Sequence, residues 1–183
     1  MVEIYHHQAL WDNRQYPRVY HAFSEILDTK KLWVSFDRTS INPPVRHDFP
    51  FYGKLHFDIP LTLPIPIHLQ GILYLTDCAE SQGAFSCVPG FHKKVEQWVQ
   101  SLPEGADPND QDLEKLGPVS VPGHAGDLII WHAALPHWAR ANTNTRPRVA
   151  QYISMSPAQE DNEEARRNRI DTWRHLLSGM DDR

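Results

Sequence analysis

The chain has 183 residues and a formal net charge of −5, with 40% hydrophobic and 22% charged residues. That balance is of a folded globular chain and excludes a disordered one. The acidic charge disfavours a nucleic-acid or polybasic membrane partner, and no apolar run reaches the ~18–20 residues of a membrane-crossing helix.

In chain order, the start MVEIYHHQALWDNRQ has no basic stretch followed by an apolar one, so it does not read as a secretory signal. The expected location is the cytoplasm, where Cys78 and Cys87 are expected as reduced, buried thiols. Residues 17–27 predict a helix, with Pro17 in the first turn and Val19, Ala22, Phe23, Ile26 and Leu27 on one stripe. Residues 31–38 alternate as a strand, and residues 42–50, with three prolines, predict a loop. A short strand is expected over 54–58, a longer buried one over 67–76 and another over 84–88. Residues 92–102 look helical, and 103–118 predict a polar, exposed loop. Strands are expected over 126–131, 137–141 and 148–155, then a charged helix over about 159–177. Fifteen prolines fall mainly between short apolar runs, as in an all-β core with many turns. The expected fold is mainly β, a double-sheet jelly-roll barrel with peripheral α-helices, forming one domain over 1–183.

The chemistry-bearing element is His56-Phe57-Asp58. Residues two apart on a strand share a face, so His56 and Asp58 point inward together while Phe57 packs outward. An HxD with a distant histidine is the ligand set of a two-histidine, one-carboxylate site, which suits ferrous iron and leaves positions open. The third ligand lies between His132 and His137. A turn centred between Asn142 and Thr143 pairs His137 with Arg148 across a hairpin, and His132 with Ile153, so the expected register favours His137. Arg148 is favoured over Arg146, because Pro147 marks the start of the strand. An inward arginine needs an anion: either a core carboxylate, or a ligand carboxylate gripped bidentately.

The stretches LWVSFDRTSINPP, LHFDIPL, HLQGILYLTDCAESQGAFSCVPGFH and GDLIIWHAALPHWARANTNTRPRVAQYIS, in this order, resemble the phytanoyl-CoA dioxygenase family of Fe(II)/2-oxoglutarate-dependent oxygenases. The spacing from His137 to Arg148, 11 residues, is part of that resemblance. It implies a double-stranded β-helix (cupin-like jelly roll) in which His56, Asp58 and His137 bind Fe(II). It also implies that Arg148 holds the distal carboxylate of the 2-oxoglutarate co-substrate, with O₂ as the oxidant, and that Asn142 lies near the co-substrate. Gln70 faces inward and is either a co-substrate contact or a buried amide satisfied by backbone. The implied activity is a dioxygenase of hydroxylase type acting on a small molecule, with decarboxylation of 2-oxoglutarate to succinate.

Two departures stand out. Ala139 replaces a glycine or hydroxyl residue of many relatives, and most relatives are longer, so the chain reads either as a compact member or as one that lacks terminal segments. A non-catalytic metal-binding barrel and a cupin-type metalloenzyme without 2-oxoglutarate are the competing readings. A nucleic-acid demethylase has only Arg166, Arg167 and Arg169 in its favour, set among Glu163, Glu164 and Asp171 as on a solvated helix face. Trp33, Trp131 and Trp138 are either pocket walls or core. The sequence leaves the substrate and the oligomeric state open.

Overall fold

A computed structural model describes residues 2–178 of the chain. It places α1 at Gln8–Arg14, α2 at Pro17–Ile26, α3 at Val95–Gln100 and α4 at Glu163–Arg174. The strands are β1 Leu32–Val34, β2 Thr39–Asn42, β3 Leu69–Tyr74, β4 Phe85–Cys87, β5 Val119–Val121, β6 Leu128–His132, β7 His137–Ala139, β8 Arg148–Tyr152 and β9 Met155–Pro157.

Two antiparallel sheets form the barrel. One has the order β2-β8-β3-β6 and the other β5-β4-β7. A single bridge between His56 and His137 adds the HFD segment beside β7, so this second sheet also has four positions. The fold is therefore the expected mainly β jelly roll with peripheral helices.

Strand alternation divides the side chains of the larger sheet between two cores. From β3, Ile72 and Tyr74 point inward to a cluster with Phe85, Cys87, Trp131 and Ala150. Leu69 and Leu73 point outward and pack with Val19 and Phe23 of α2, and with Ile153 and Met155. Helix α2 forms as expected, with Pro17 at its first position and a buried stripe of Val19 and Phe23. Burying that stripe ties the helix to the sheet, at roughly 1.5–3 kcal/mol per large apolar side chain. Gly71 sits on the same outer face, where a β-carbon would come within 2.4 Å of the Ile153 carbonyl. The glycine lets the two backbones approach.

Several expected elements are shorter or differently placed. The strand expected over 54–58 is only the one bridge, because Pro50, Pro60 and Pro64 break up the surrounding ladder. Of the strand expected over 31–38 only β1 forms, and β2 begins just after that stretch and ends at the first residue of the expected loop. The strand expected over 148–155 likewise divides into β8 and β9. Helix α1 was not expected; it is capped by the His7 ring, which accepts from the Ala9 N–H at 3.2 Å. The helix expected over 92–102 is a 3₁₀ turn at Phe91–Lys93 followed by α3. The 103–118 stretch holds two 3₁₀ turns and buries Leu113.

Candidate metal centre

His56, Asp58 and His137 converge. One potential ligand atom from each lies within 4.8 Å of the others. His56 Nε2 is 2.9 Å from Asp58 Oδ1, and His137 Nε2 is 3.3 Å from Asp58 Oδ2. Two adjacent ligands about 2.1 Å from a metal ion, at right angles to each other, stand about 3.0 Å apart, so this spacing fits a shared ion. Each ring also has its Nδ1 on a backbone carbonyl: Lys54 at 3.2 Å for His56, and Leu135 at 2.9 Å for His137. An Nδ1–H donated there leaves Nε2 with its lone pair toward the centre, the tautomer a metal requires.

The electrostatics agree. Burial alone would lower the His56 pKa, but the hydrogen bond and charge of Asp58 and the Lys54 carbonyl raise it overall. Burial alone would raise Asp58, yet bonds from His137, His56 and Gln70 hold it well below the usual carboxylate range. The site is an anionic point facing two imidazoles. It would hold a divalent cation with mixed nitrogen and oxygen ligands, and iron(II) suits that donor set.

The surrounding chain fixes these side chains. Phe57 points away from the site into an aromatic cluster, 6.2 Å from the Phe91 ring and 5.9 Å from Trp98. Asn109 grips the same segment from outside, accepting from the Phe57 N–H at 2.7 Å and donating to its carbonyl at 3.2 Å. It does for the HFD segment what a neighbouring strand would do. Only the Asp107-Pro108-Asn109 turn chemistry hinted at an ordered point in that loop. The Trp138 ring meets His56 edge-on at 4.6 Å. Gly53 makes room for it, since a β-carbon there would overlap the indole nitrogen.

A cavity of about 490 Å³ opens between the sheets and is lined by His56, Asp58, His137, Gln70, Trp131 and Arg148, among others. Arg148 is 2% exposed. It donates to Ser40 Oγ at 3.1 Å, and its Nε has no partner. Among the described residues no carboxylate oxygen lies within 4.0 Å of it. The core-carboxylate reading of this arginine is thus not the one found.

The hairpin register that favoured His137 is not present. Strand β7 pairs with β4 in one sheet, and β8 pairs with β2 and β3 in the other. The 142–147 segment crosses between sheets instead of turning back tightly. His137 and Arg148 still share the cavity because their sheets face each other. His132 adjoins the cavity-lining Trp131, but its Nδ1 accepts from the Ala134 N–H at 3.0 Å and its ring stacks on His92. Arg146 is exposed.

Asn142 lies off the cavity wall and is fully buried. Its amide nitrogen donates to the Asn42 and Arg146 carbonyls, both at 2.8 Å, and its oxygen accepts from the Asn144 N–H at 3.0 Å. It organises the crossover that delivers Arg148 to β8. Gln70 is on the wall, but its partners are Asp58 and Trp131. Trp131, Trp138 and Ala139 line the cavity, whereas Trp33 lies elsewhere, 5.0 Å beneath the Arg169 guanidinium. Cys78 and Cys87 are buried free thiols, and no helix among the described residues is long and apolar enough to cross a membrane.

Residues 5–150 match the family model for phytanoyl-CoA dioxygenase. A putative phytanoyl-CoA dioxygenase of Dictyostelium discoideum is 24% identical over 93% of this chain and 60% of its own length. The Ava biosynthesis cluster protein O of Aspergillus versicolor is 25% identical over 94% of this chain and 62% of its own. The chain thus spans about three-fifths of these curated relatives. Among solved structures, the epimerase SnoN, in complex with Fe3+, alpha ketoglutarate and nogalamycin RO, superposes with a TM-score of 0.64 at 20% identity. That match covers 83% of this chain and 60% of SnoN. The alpha-ketoglutarate-dependent carbocyclase SnoK gives 0.59 at 21% identity, covering 87% of this chain and 66% of SnoK. These likenesses carry the fold.

Proposed function

Because the chain belongs to the phytanoyl-CoA dioxygenase family, we propose that it is an iron(II)- and 2-oxoglutarate-dependent oxygenase acting on a small organic molecule. The observation that carries this reading is Arg148, a buried guanidinium without a counter-ion among the described residues, on the wall of the same cavity as His56, Asp58 and His137. A buried unpaired charge costs several kcal/mol, and a carboxylate entering the cavity removes that cost. A dicarboxylate that reaches both the arginine and the metal fits the arrangement.

His56, Asp58 and His137 would hold the iron, and Arg148 would grip the far carboxylate of 2-oxoglutarate by a charge-assisted fork. The bound metal would supply O₂ activation coupled to decarboxylation of 2-oxoglutarate to succinate. The protein's part is binding and orientation. Phe85, Trp131 and Trp138 wall the cavity, presenting apolar and π surface to a substrate. Asn142 acts at one remove by fixing the crossover before Arg148. Hydroxylation is the proposed outcome for the substrate.

The test is succinate formation from 2-oxoglutarate by iron-loaded protein under air, with Asp58→Ala as control. Succinate from the wild type and none from the variant supports the reading. A wild-type protein that binds iron but neither binds nor consumes 2-oxoglutarate is instead a metal-binding barrel without turnover, and the reading fails.

A further inference from the structure

Gln70 stands at the inner start of β3, directly opposite Trp131 in the β3–β6 register. Its carboxamide lies between two partners of fixed chemistry. The Trp131 indole N–H donates to Gln70 Oε1 at 3.0 Å, and Gln70 Nε2 donates to Asp58 Oδ2. An indole nitrogen only donates and an ionised carboxylate only accepts. One of the two amide orientations therefore satisfies both partners, and the flipped one satisfies neither.

Asp58 needs such a restraint. Its side chain is 41% exposed toward the cavity, and the HFD segment has a single ladder bridge, at His56. Backbone pairing therefore leaves the carboxylate free to rotate. The two imidazoles approach different oxygens, His56 on Oδ1 and His137 on Oδ2, so they do not choose between one-oxygen and two-oxygen ligation. A fixed N–H on Oδ2 does choose: it occupies a lone pair of that oxygen and resists rotation that would bring both oxygens onto one ion.

We infer that Trp131 and Gln70 form a relay that holds Asp58 as a one-oxygen metal ligand, making Gln70 a positioning residue for the metal centre. This rests on the proposed triad binding a metal. Its consequence is geometric: a carboxylate restricted to one oxygen leaves more of the ion's positions for the co-substrate and O₂. The specificity of the relay lies in the Gln70–Trp131 pairing, which the β3–β6 register enforces.

The test uses cobalt(II) as the probe, titrated into the metal-free protein without 2-oxoglutarate, for the wild type, Gln70→Met, Trp131→Phe and the double variant. Gln70→Met keeps the length and removes both polar contacts. It is expected to weaken cobalt(II) binding by roughly 10–100-fold, as for loss of a partner behind a metal ligand, and to change the visible cobalt spectrum. Trp131→Phe is expected to weaken binding less, and the double variant to bind no more weakly than Gln70→Met, because the indole acts only through the amide. Thermal melts of the metal-free proteins check that each variant folds, and affinity for 2-oxoglutarate at saturating metal is expected to fall less than in an Arg148 variant, because a two-oxygen Asp58 takes up a position on the ion but leaves the arginine in place. Wild-type cobalt affinity and spectrum in Gln70→Met overturn the relay. So does normal metal binding with the loss of 2-oxoglutarate seen in an Arg148 variant, which would make Gln70 a co-substrate contact. Cobalt binding that survives His56→Ala and Asp58→Ala overturns the metal-centre reading itself and is separable from both.

Discussion

Two arginines are almost completely buried, Arg148 at 2% and Arg14 at 1% exposure, and replacing each with methionine should have opposite effects. Arg14 is held as a structural group through both terminal nitrogens of its guanidinium, and only its Nε is without a partner among the described residues. It donates to the Tyr5 carbonyl at 2.9 Å and to the Asp37 carbonyl, and lies 4.7 Å over the Trp11 ring. Burial pushes its pKa down to about 10, so it stays charged at neutral pH. Removing it strands two carbonyls and forfeits a cation–π contact, a loss of about 2–5 kcal/mol. Among the described residues Arg148 has only Ser40 as a hydrogen-bond partner. Its removal costs one charged hydrogen bond, about 1.5–3 kcal/mol, but relieves an uncompensated buried cation whose desolvation is worth several kcal/mol. The metal-free, ligand-free Arg148→Met protein should therefore melt no lower than wild type, while Arg14→Met melts well below it. Affinity for 2-oxoglutarate should behave the other way. Deleting one side of a buried charged pair costs roughly 2–5 kcal/mol, about thirtyfold to several thousandfold in dissociation constant. Differential scanning fluorimetry of the metal-free proteins, and of the metal-loaded proteins with and without 2-oxoglutarate, reads both effects. An Arg148→Met protein that loses several kcal/mol of stability yet keeps the 2-oxoglutarate-dependent rise in melting temperature would refute the reasoning.

Asn142→Leu removes three hydrogen bonds inside the crossover and should cost about 2–5 kcal/mol in denaturant unfolding. The 2-oxoglutarate affinity of the folded fraction should be retained; loss of affinity without loss of stability would make Asn142 a co-substrate contact. His137→Ala should abolish stoichiometric iron(II) or cobalt(II) in equilibrium dialysis and His132→Ala should not, because His132 is turned to Ala134 and His92; equal losses would contradict the assigned ligand. Burial raises the pKa of both Cys78 and Cys87. Near pH 8.5, where an ordinary thiol is half ionised, both should remain largely protonated and react slowly with iodoacetamide, as mass spectrometry would measure. Unfolding should release the reaction, and rapid native labelling would show that burial is not protecting them.

The HxD spacing, the proline punctuation and the alternation of LQGILY were enough to read a β barrel with an inward histidine and aspartate. Those features are local, since strand periodicity and turn chemistry act within a few residues. The same locality explains the misreadings. The hairpin expected at 142–145 used the only register that local spacing offers, whereas the chain spends that segment crossing to the opposite sheet. A histidine and an arginine that share one cavity emerged from a pairing that does not occur, because two facing sheets bring their inner residues together as surely as two paired strands do. Gln70 and Asn142 show the limit most clearly. Each was legible as an inward or turn amide, but the partners of Gln70 lie 12 and 61 residues away in the chain, and one partner of Asn142 lies 100 residues away.

By itself, then, the sequence determined the candidate donor set His56, Asp58 and His137, the strand-and-turn grammar of a jelly roll, and an arginine suited to a carboxylate. The tertiary structure alone decided that Arg148 lacks a counter-ion among the described residues, that Gln70 faces Asp58, that Asn142 is spent on backbone carbonyls, and that Asn109 braces the HFD segment from a distant loop. The reason is that ligand chemistry is a property of a side chain, whereas the partner it meets, or fails to meet, depends on how separate strands are brought into register.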